Sequence, residues 1–209
     1  MNHDNLVNLL VNDLSPVVPR KSFRFAAIYF LAAALGTLAT FLTFGHTRTD
    51  MNLILTHPTF LFSTILAAIV STFGFLSIVY ASTPGRSGTR TLVLTSGSLL
   101  ALLATVLIVW PTHDRSTGIS WAAHCTESAV GFGFLSLLTF GWAARKLAPG
   151  NPRFVGALCG LASAMVGMTA LAFGCPNEHP YHLLLWHMLF PLTIMGVVGA
   201  AIGSRFLRW

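Results

Sequence analysis

Cysteine and histidine side chains are the groups through which this 209-residue chain could do chemistry. Cys125 opens one apolar stretch, Cys175 closes the next, and Cys159 lies within that second stretch. His46, His57, His113, His124, His179 and His182 fall in or beside the polar connections on the side of Cys125 and Cys175, and His187 follows about one helical turn deeper. Two apolar helices joined by a short connection run antiparallel, which would bring Cys125 and Cys175 to a common depth. A disulfide needs Cα atoms within about 7 Å, within reach of adjacent helix ends. Two separate thiols acting as small hydrophobes are the plainer alternative, and the shared depth favours a pair. Cys159, nearer the opposite end, reads as packing. His124 adjoins Cys125 and His179 follows Cys175 by four, so imidazole could tune a thiolate. With the carboxylates Asp114, Glu127 and Glu178, these groups offer soft and borderline ligands for zinc, cadmium or copper. The spacing matches no closed zinc motif. No resident cofactor is therefore assigned; a transient soft metal ion is what the residues allow, with His124, His179, His182 and Glu178 as tuning or ligating groups.

The elements that must position them are apolar and long. Six stretches run at roughly 23–45, 58–81, 91–110, 123–144, 154–174 and 183–203, each near the 20 residues that cross a ~30 Å hydrocarbon layer as a helix. The chain is 54% hydrophobic and 9% charged, which excludes an ordinary soluble domain. The predicted fold class is all-α: a polytopic bundle of six transmembrane helices over 23–209, preceded by a short cytoplasmic amino-terminal segment, 1–22. Basic residues collect before the first stretch (Arg20, Lys21, Arg24), in the second connection (Arg86, Arg90), in the fourth (Arg145, Lys146, Arg153) and at the end (Arg205, Arg208). The odd-numbered connections hold only Arg48 and Arg115. Positively charged connections stay cytoplasmic, so both termini are expected inside a bacterial inner membrane, with Cys125 and Cys175 on the periplasmic side. Orientation and anionic lipid account for the net charge of +6, and no direct nucleic-acid binding is expected. The first apolar run is long enough to be retained as an anchor rather than cleaved as a signal.

The amino-terminal segment has its own pattern. Leu6, Val7, Leu10, Val11 and Leu14 recur at helical spacing, with Asn5, Asn8, Asn12 and Asp13 between them. Pro16 ends that helix by disfavouring the helical conformation at Ser15. A helix of about ten residues is too short to stand alone and must fold against something. Lipid-surface helices usually carry Lys or Arg on the polar face; this one carries Asn and Asp, which favours a groove on a protein partner over membrane lipid. Farther on, Thr83-Pro84-Gly85-Arg86-Ser87-Gly88 and Ala148-Pro149-Gly150-Asn151-Pro152 are turn chemistry joining helical hairpins. Gly156 and Gly160 in the fifth stretch, and Gly199 and Gly203 in the sixth, form GxxxG spacings that allow close helix approach. Pro191 is expected to kink the sixth stretch by freeing the carbonyl of His187.

Several function classes find no support. None of the six stretches carries a charged residue at mid-depth, as ion or proton transport would want. Nucleophile motifs, phosphate-cradling loops and CxxC pairs are absent from the sequence. The rival to a regulatory reading is a membrane thiol oxidoreductase using the cysteine pair with a quinone or haem, for which His187 is the inward-placed candidate ligand.

The chain also resembles a known family. Asn5-Leu6-Val7 with Asp13-Leu14-Ser15-Pro16-Val17 is similar to the amino-terminal signature of the NrsF-type membrane anti-sigma factors. The similarity continues at Thr83-Pro84-Gly85-Arg86-Ser87 and around Cys125. It is strongest at Cys175-Pro176-Asn177-Glu178-His179-Pro180 with Leu184-Leu185-Trp186-His187, and extends to Arg205-Phe206-Leu207-Arg208-Trp209. The resemblance implies a non-enzymatic protein that holds an extracytoplasmic-function sigma factor at the membrane and frees it under heavy-metal or oxidative stress. It implies Cys125 and Cys175 as the sensing pair, and Leu6, Val7, Leu10, Val11, Asp13, Leu14 and Pro16 as the partner-binding segment. The basic run after the Pro-Val pair is weaker here than the family's, with Val18-Pro19 before Arg20-Lys21. The outer histidines are also more numerous than the family pattern needs.

Overall fold

A computed structural model describes residues 22–50, 58–83, 89–109, 122–175 and 182–208. The partner-binding candidates Leu6, Val7, Leu10, Val11, Asp13, Leu14 and Pro16 lie outside the described residues, as do Glu178 and His179. Every regular element among the described residues is helical: α1 (Ser22–Phe44), α2 (Pro58–Ala81), α3 (Thr89–Val109), α4 (Ala122–Arg145), α5 (Pro152–Ala172) and α6 (Phe190–Phe206). A π-helical segment, Leu183–Leu189, leads directly into α6.

Four segments are long and apolar enough to cross a membrane: Arg24–Phe44, Phe60–Ala81, Pro152–Ala172 and Leu183–Phe206. They suggest membrane association. The six spans expected from the sequence are thus matched at four. Among the described residues α3 adds an apolar helical stretch over Thr89–Ala104, and the first turns of α4 carry His124, Cys125, Thr126, Glu127 and Ser128. The outward faces remain apolar, with Ile28, Leu42, Phe44, Ile108 and Val197 all well exposed. An exposed apolar surface on this scale marks contact with a membrane or a protein partner.

Helix α5 is the centre of the bundle and packs against α6, α4 and α2. Its approach to α6 depends on the absence of side chains. A Cβ on Gly156 would strike the carbonyl of Gly199, one on Gly160 the carbonyl of Met195, and one on Gly199 the carbonyl of Gly156. Both GxxxG spacings therefore face each other, as small residues do where helices meet without a hydrophobic drive between them. A second close approach joins α4 to α5, where a Cβ on Gly133 would lie 2.5 Å from the carbonyl of Ser163. The α4–α5 turn follows its sequence signals. Asn151 caps α5 by accepting from the N–H of Phe154 at 3.1 Å, and Pro152 takes the first helical turn.

Buried hydroxyls tie the outer helices on. Thr37 on α1 donates to the carbonyl of Phe132 on α4 at 3.1 Å and bonds Ser136 at 2.8 Å. Ser77 on α2 meets Thr95 on α3 at 3.2 Å. Phe75 stacks on Phe140 with centroids 4.4 Å apart in the core between α2 and α4.

The two ends of the bundle differ in chemistry. At one, Lys146 lies over Tyr29 at the start of α1, and Arg145 lies over Phe206 at the end of α6. At the other, the N–H of Arg48 donates to the carbonyl of Phe173 at 3.2 Å, joining the exit of α1 to the exit of α5. Arg48 is buried and forms a two-point pair with Asp50, Nε to Oδ1 at 3.0 Å and Nη2 to Oδ2 at 2.8 Å. That guanidinium holds the Asp50 carboxyl below the usual carboxylate range.

Candidate thiol–imidazole site

Cys125 sits in the first turn of α4 and Cys175 just beyond the last turn of α5. The short α4–α5 turn lies at the opposite end, so the two helices deliver both residues to one place. Their sulfurs are 3.5 Å apart. This is a non-bonded contact, well beyond the ~2.05 Å of a disulfide, and the pair stands as two thiols. Cys159 is buried in the core between α5 and its neighbours, away from this pair.

The third and fourth members come from the π-helical segment and the residue before it. His182 Nε2 lies 3.7 Å from Cys175 Sγ, and the His182 and His187 rings meet edge to face with centroids 5.0 Å apart. Both imidazoles are buried, at 4% and 2% exposure. The ligand atoms of Cys125, Cys175, His182 and His187 all lie within 4.8 Å of one another.

The backbone explains why two histidines five residues apart share a face. In an α-helix with 3.6 residues per turn, a step of five residues turns about 140° past one full turn, onto another face. In a π-helix, where hydrogen bonds link i to i+5 and a turn takes roughly 4.4 residues, a step of five ends only about 50° past one full turn, so residues i and i+5 share a face. The N–H of Phe190 bonds the carbonyl of Leu185, which is that register. Pro191 follows and has no N–H, so the carbonyl deprived of a partner in this register is that of Trp186 rather than that of His187. Thr126 supplies the missing donor, its hydroxyl reaching the Trp186 carbonyl at 2.8 Å.

The site favours a thiolate at Cys175. Its thiol is held well below the ordinary thiol range, first by the Cys125 sulfhydryl bonded to it, against the opposing effect of burial, with the imidazoles of His182 and His187 adding to the depression. A soft anion flanked by imidazoles suits two reactions: oxidation with the neighbouring thiol, and capture of a soft cation.

Of the tuning residues expected from sequence, His182 stands at the sulfurs. His124, although adjacent to Cys125 in the chain, is largely exposed and turned towards Glu127, Nδ1 to Oε2 3.9 Å; it is not among the groups around the thiols. From sequence His187 alone is expected to face inward; in the structure His182 lies buried beside it. The signal that would have found the four-residue group is Pro191, whose position predicts a break in α-helical register within reach of both histidines.

The described residues are a helical bundle with four segments apolar enough to cross a membrane, two thiols in contact at one end, and Arg145 and Lys146 over aromatic rings at the other. Sequence comparison is more specific. Residues 10–209 match the family model described as "Negative regulator of sigma F", and the chain belongs to that family. It is 28% identical to the "Anti-sigma-F factor NrsF" of Caulobacter vibrioides (strain NA1000 / CB15N) over 221 residues, covering all of both chains. It is 26% identical to the "Probable anti-sigma-F factor NrsF" of Azospira oryzae over 219 residues, again covering both completely. No solved structure matches. A sigma factor is accordingly the partner that family membership implies, and the family's description is that of a negative regulator.

Proposed function

We propose that this chain is an inner-membrane anti-sigma factor that sequesters an extracytoplasmic-function sigma factor and releases it when Cys125 and Cys175 react with an oxidant or a heavy-metal ion. The observation that carries the reading is the 3.5 Å contact between the two sulfurs, assembled by separate helices at the end opposite the basic cluster. In this reading all six helices span the membrane. The distribution of Lys and Arg puts the basic end and both termini in the cytoplasm, and the thiols in the periplasm. The 5–14 segment covers a sigma-factor surface needed for binding RNA polymerase.

Oxidation balances simply. A peroxide takes one electron pair and two protons from the two thiols, leaving a disulfide and two molecules of water or alcohol. The sulfurs must close by about 1.5 Å to reach the ~2.05 Å bond length, which draws the start of α4 towards the exit of α5. Cross-linking across a 50-residue separation is worth about 4 kcal/mol by chain entropy. That term acts on the unfolded chain and is common to both folded arrangements. The roughly 5.5 kcal/mol that takes an equilibrium from 1:99 to 99:1 therefore has to come from the repacking of α4 against α5 that the bond enforces.

Deleting the gene tests the assignment. Transcription dependent on the cognate sigma factor should become constitutive, and the sigma factor should leave the membrane fraction. A sigma factor that is equally soluble and inactive with and without the chain would refute the reading.

A further inference from the structure

We propose that His182 and His187 complete, with Cys125 and Cys175, a four-ligand binding site for a divalent borderline-soft cation of the zinc and cadmium class. The inference deepens the sensor reading and rests on it for its physiological use, but the site itself stands on geometry. Two thiolates and two imidazoles form a donor set that such ions take in tetrahedral coordination. Bonds of about 2.3 Å to sulfur place the donors of a regular tetrahedron about 3.8 Å apart. The structure already has Sγ to Sγ at 3.5 Å and Cys175 Sγ to His182 Nε2 at 3.7 Å. The remaining separations reach 4.8 Å at most, within the range of a small side-chain rotation.

A second, independent observation is the state of His187. Its Nε2 is buried and has no hydrogen-bond partner among the described residues. A buried polar atom left unpaired costs about 1–3 kcal/mol, and His187 is one of the four residues whose ligand atoms converge here. A cation bound through Nε2 would give that atom its partner. The π-helical register then has a purpose, because an α-helical one would carry His187 and His182 to different faces. Such segments recur at functional sites.

Occupancy gives the ion a way to act differently from an oxidant. A disulfide joins α4 to the exit of α5 alone. A four-ligand ion also draws in the π-helical segment, and through it α6, the helix that ends at the basic pole.

Cobalt(II) titration of the full-length chain in lipid nanodiscs, with a non-thiol reductant present, tests the site. The expected result is one equivalent bound, with the strong visible bands of a four-coordinate ion and a thiolate charge-transfer band, both bleached by zinc or cadmium. His182→Ala and His187→Gln should each weaken binding at least ~10-fold, since even second-shell losses cost 10–100-fold in affinity. His124→Ala should leave it unchanged. X-ray absorption on the zinc-loaded wild-type chain needs no variant, and should show two sulfur and two imidazole nitrogen neighbours. Sulfur with only non-imidazole oxygen neighbours, or variants that bind cobalt as the wild type does, would overturn the proposal. Reporter assays separate this from the reading beneath it. His187→Gln should lose the cadmium response and keep the response to the thiol oxidant diamide. A cadmium response that survives Cys125→Ser would sink the sensor reading itself.

Discussion

The hydroxyl of Thr126 donates to the main-chain carbonyl of Trp186 at 2.8 Å, linking the residue after Cys125 to the residue before His187. The bond makes the thiol end of α4 and the π-helical approach to α6 one mechanical unit. Thr126→Val keeps the side-chain shape and strands that carbonyl, so about 1–3 kcal/mol of stability should be lost. Reversible unfolding in mixed micelles measures it, and the variant should also need a stronger stimulus to release its partner. Wild-type stability together with wild-type release would show that the two elements are not coupled through this bond.

The amino-terminal segment, whose apolar residues recur at helical spacing, should be sensitive at those positions only. Leu10→Asp or Leu14→Asp places a charge among the apolar positions and should give constitutive sigma-dependent transcription, with the chain still inserted. Asn8→Ala, on the polar face, should repress almost normally. Full repression by both Leu variants would move the sigma contact to the cytoplasmic loops.

The α5–α6 seam should tolerate nothing larger than hydrogen. Gly160→Leu forces a side chain into the backbone of Met195 and Gly196 and should cost well over the ~1–3 kcal/mol of ordinary overpacking. Gly131→Ala, with nothing within 4 Å, should be close to neutral. The comparison reads out as the fraction of chain recovered folded after detergent extraction. Equal recovery of the two variants would contradict the close approach.

Reporter fusions decide how many helices cross. Fusions within 84–90, within 147–152 and at the carboxyl end should read cytoplasmic, and those within 46–57, 111–122 and 176–181 periplasmic. A cytoplasmic signal from 176–181 would put Cys175 on the reducing side and end the redox argument.

Much of this architecture can be read directly from residue order. Apolar length located all six helices, the glycine spacings located the α5–α6 seam, and Asn151-Pro152 located the start of α5. The closeness of Cys125 and Cys175 followed from their positions at facing ends of a helical hairpin. The composition of the site around them was less legible. Proximity in sequence favoured His124, which the helix turns outward to Glu127. The two buried imidazoles are paired by a local change of helical register that no α-helical periodicity can express. The α4–α5 seam, where Gly133 meets Ser163 and Gly167 meets Ala129 and Gly133, was less legible, because its glycines lie on different helices and form no GxxxG spacing.

Sigma-factor retention on membranes carrying each cysteine variant tests the central claim most directly. Membranes holding the wild-type chain should retain the sigma factor and release it on treatment with diamide or cadmium. Cys125→Ser and Cys175→Ser should each abolish release to the same extent, and the double variant should be no worse than either, because the two sulfurs act as one unit. Cys159→Ser, altering a thiol buried in the core away from the pair, should release as the wild type does. Independent and additive losses from Cys125→Ser and Cys175→Ser, or release that persists in the double variant, would contradict the account.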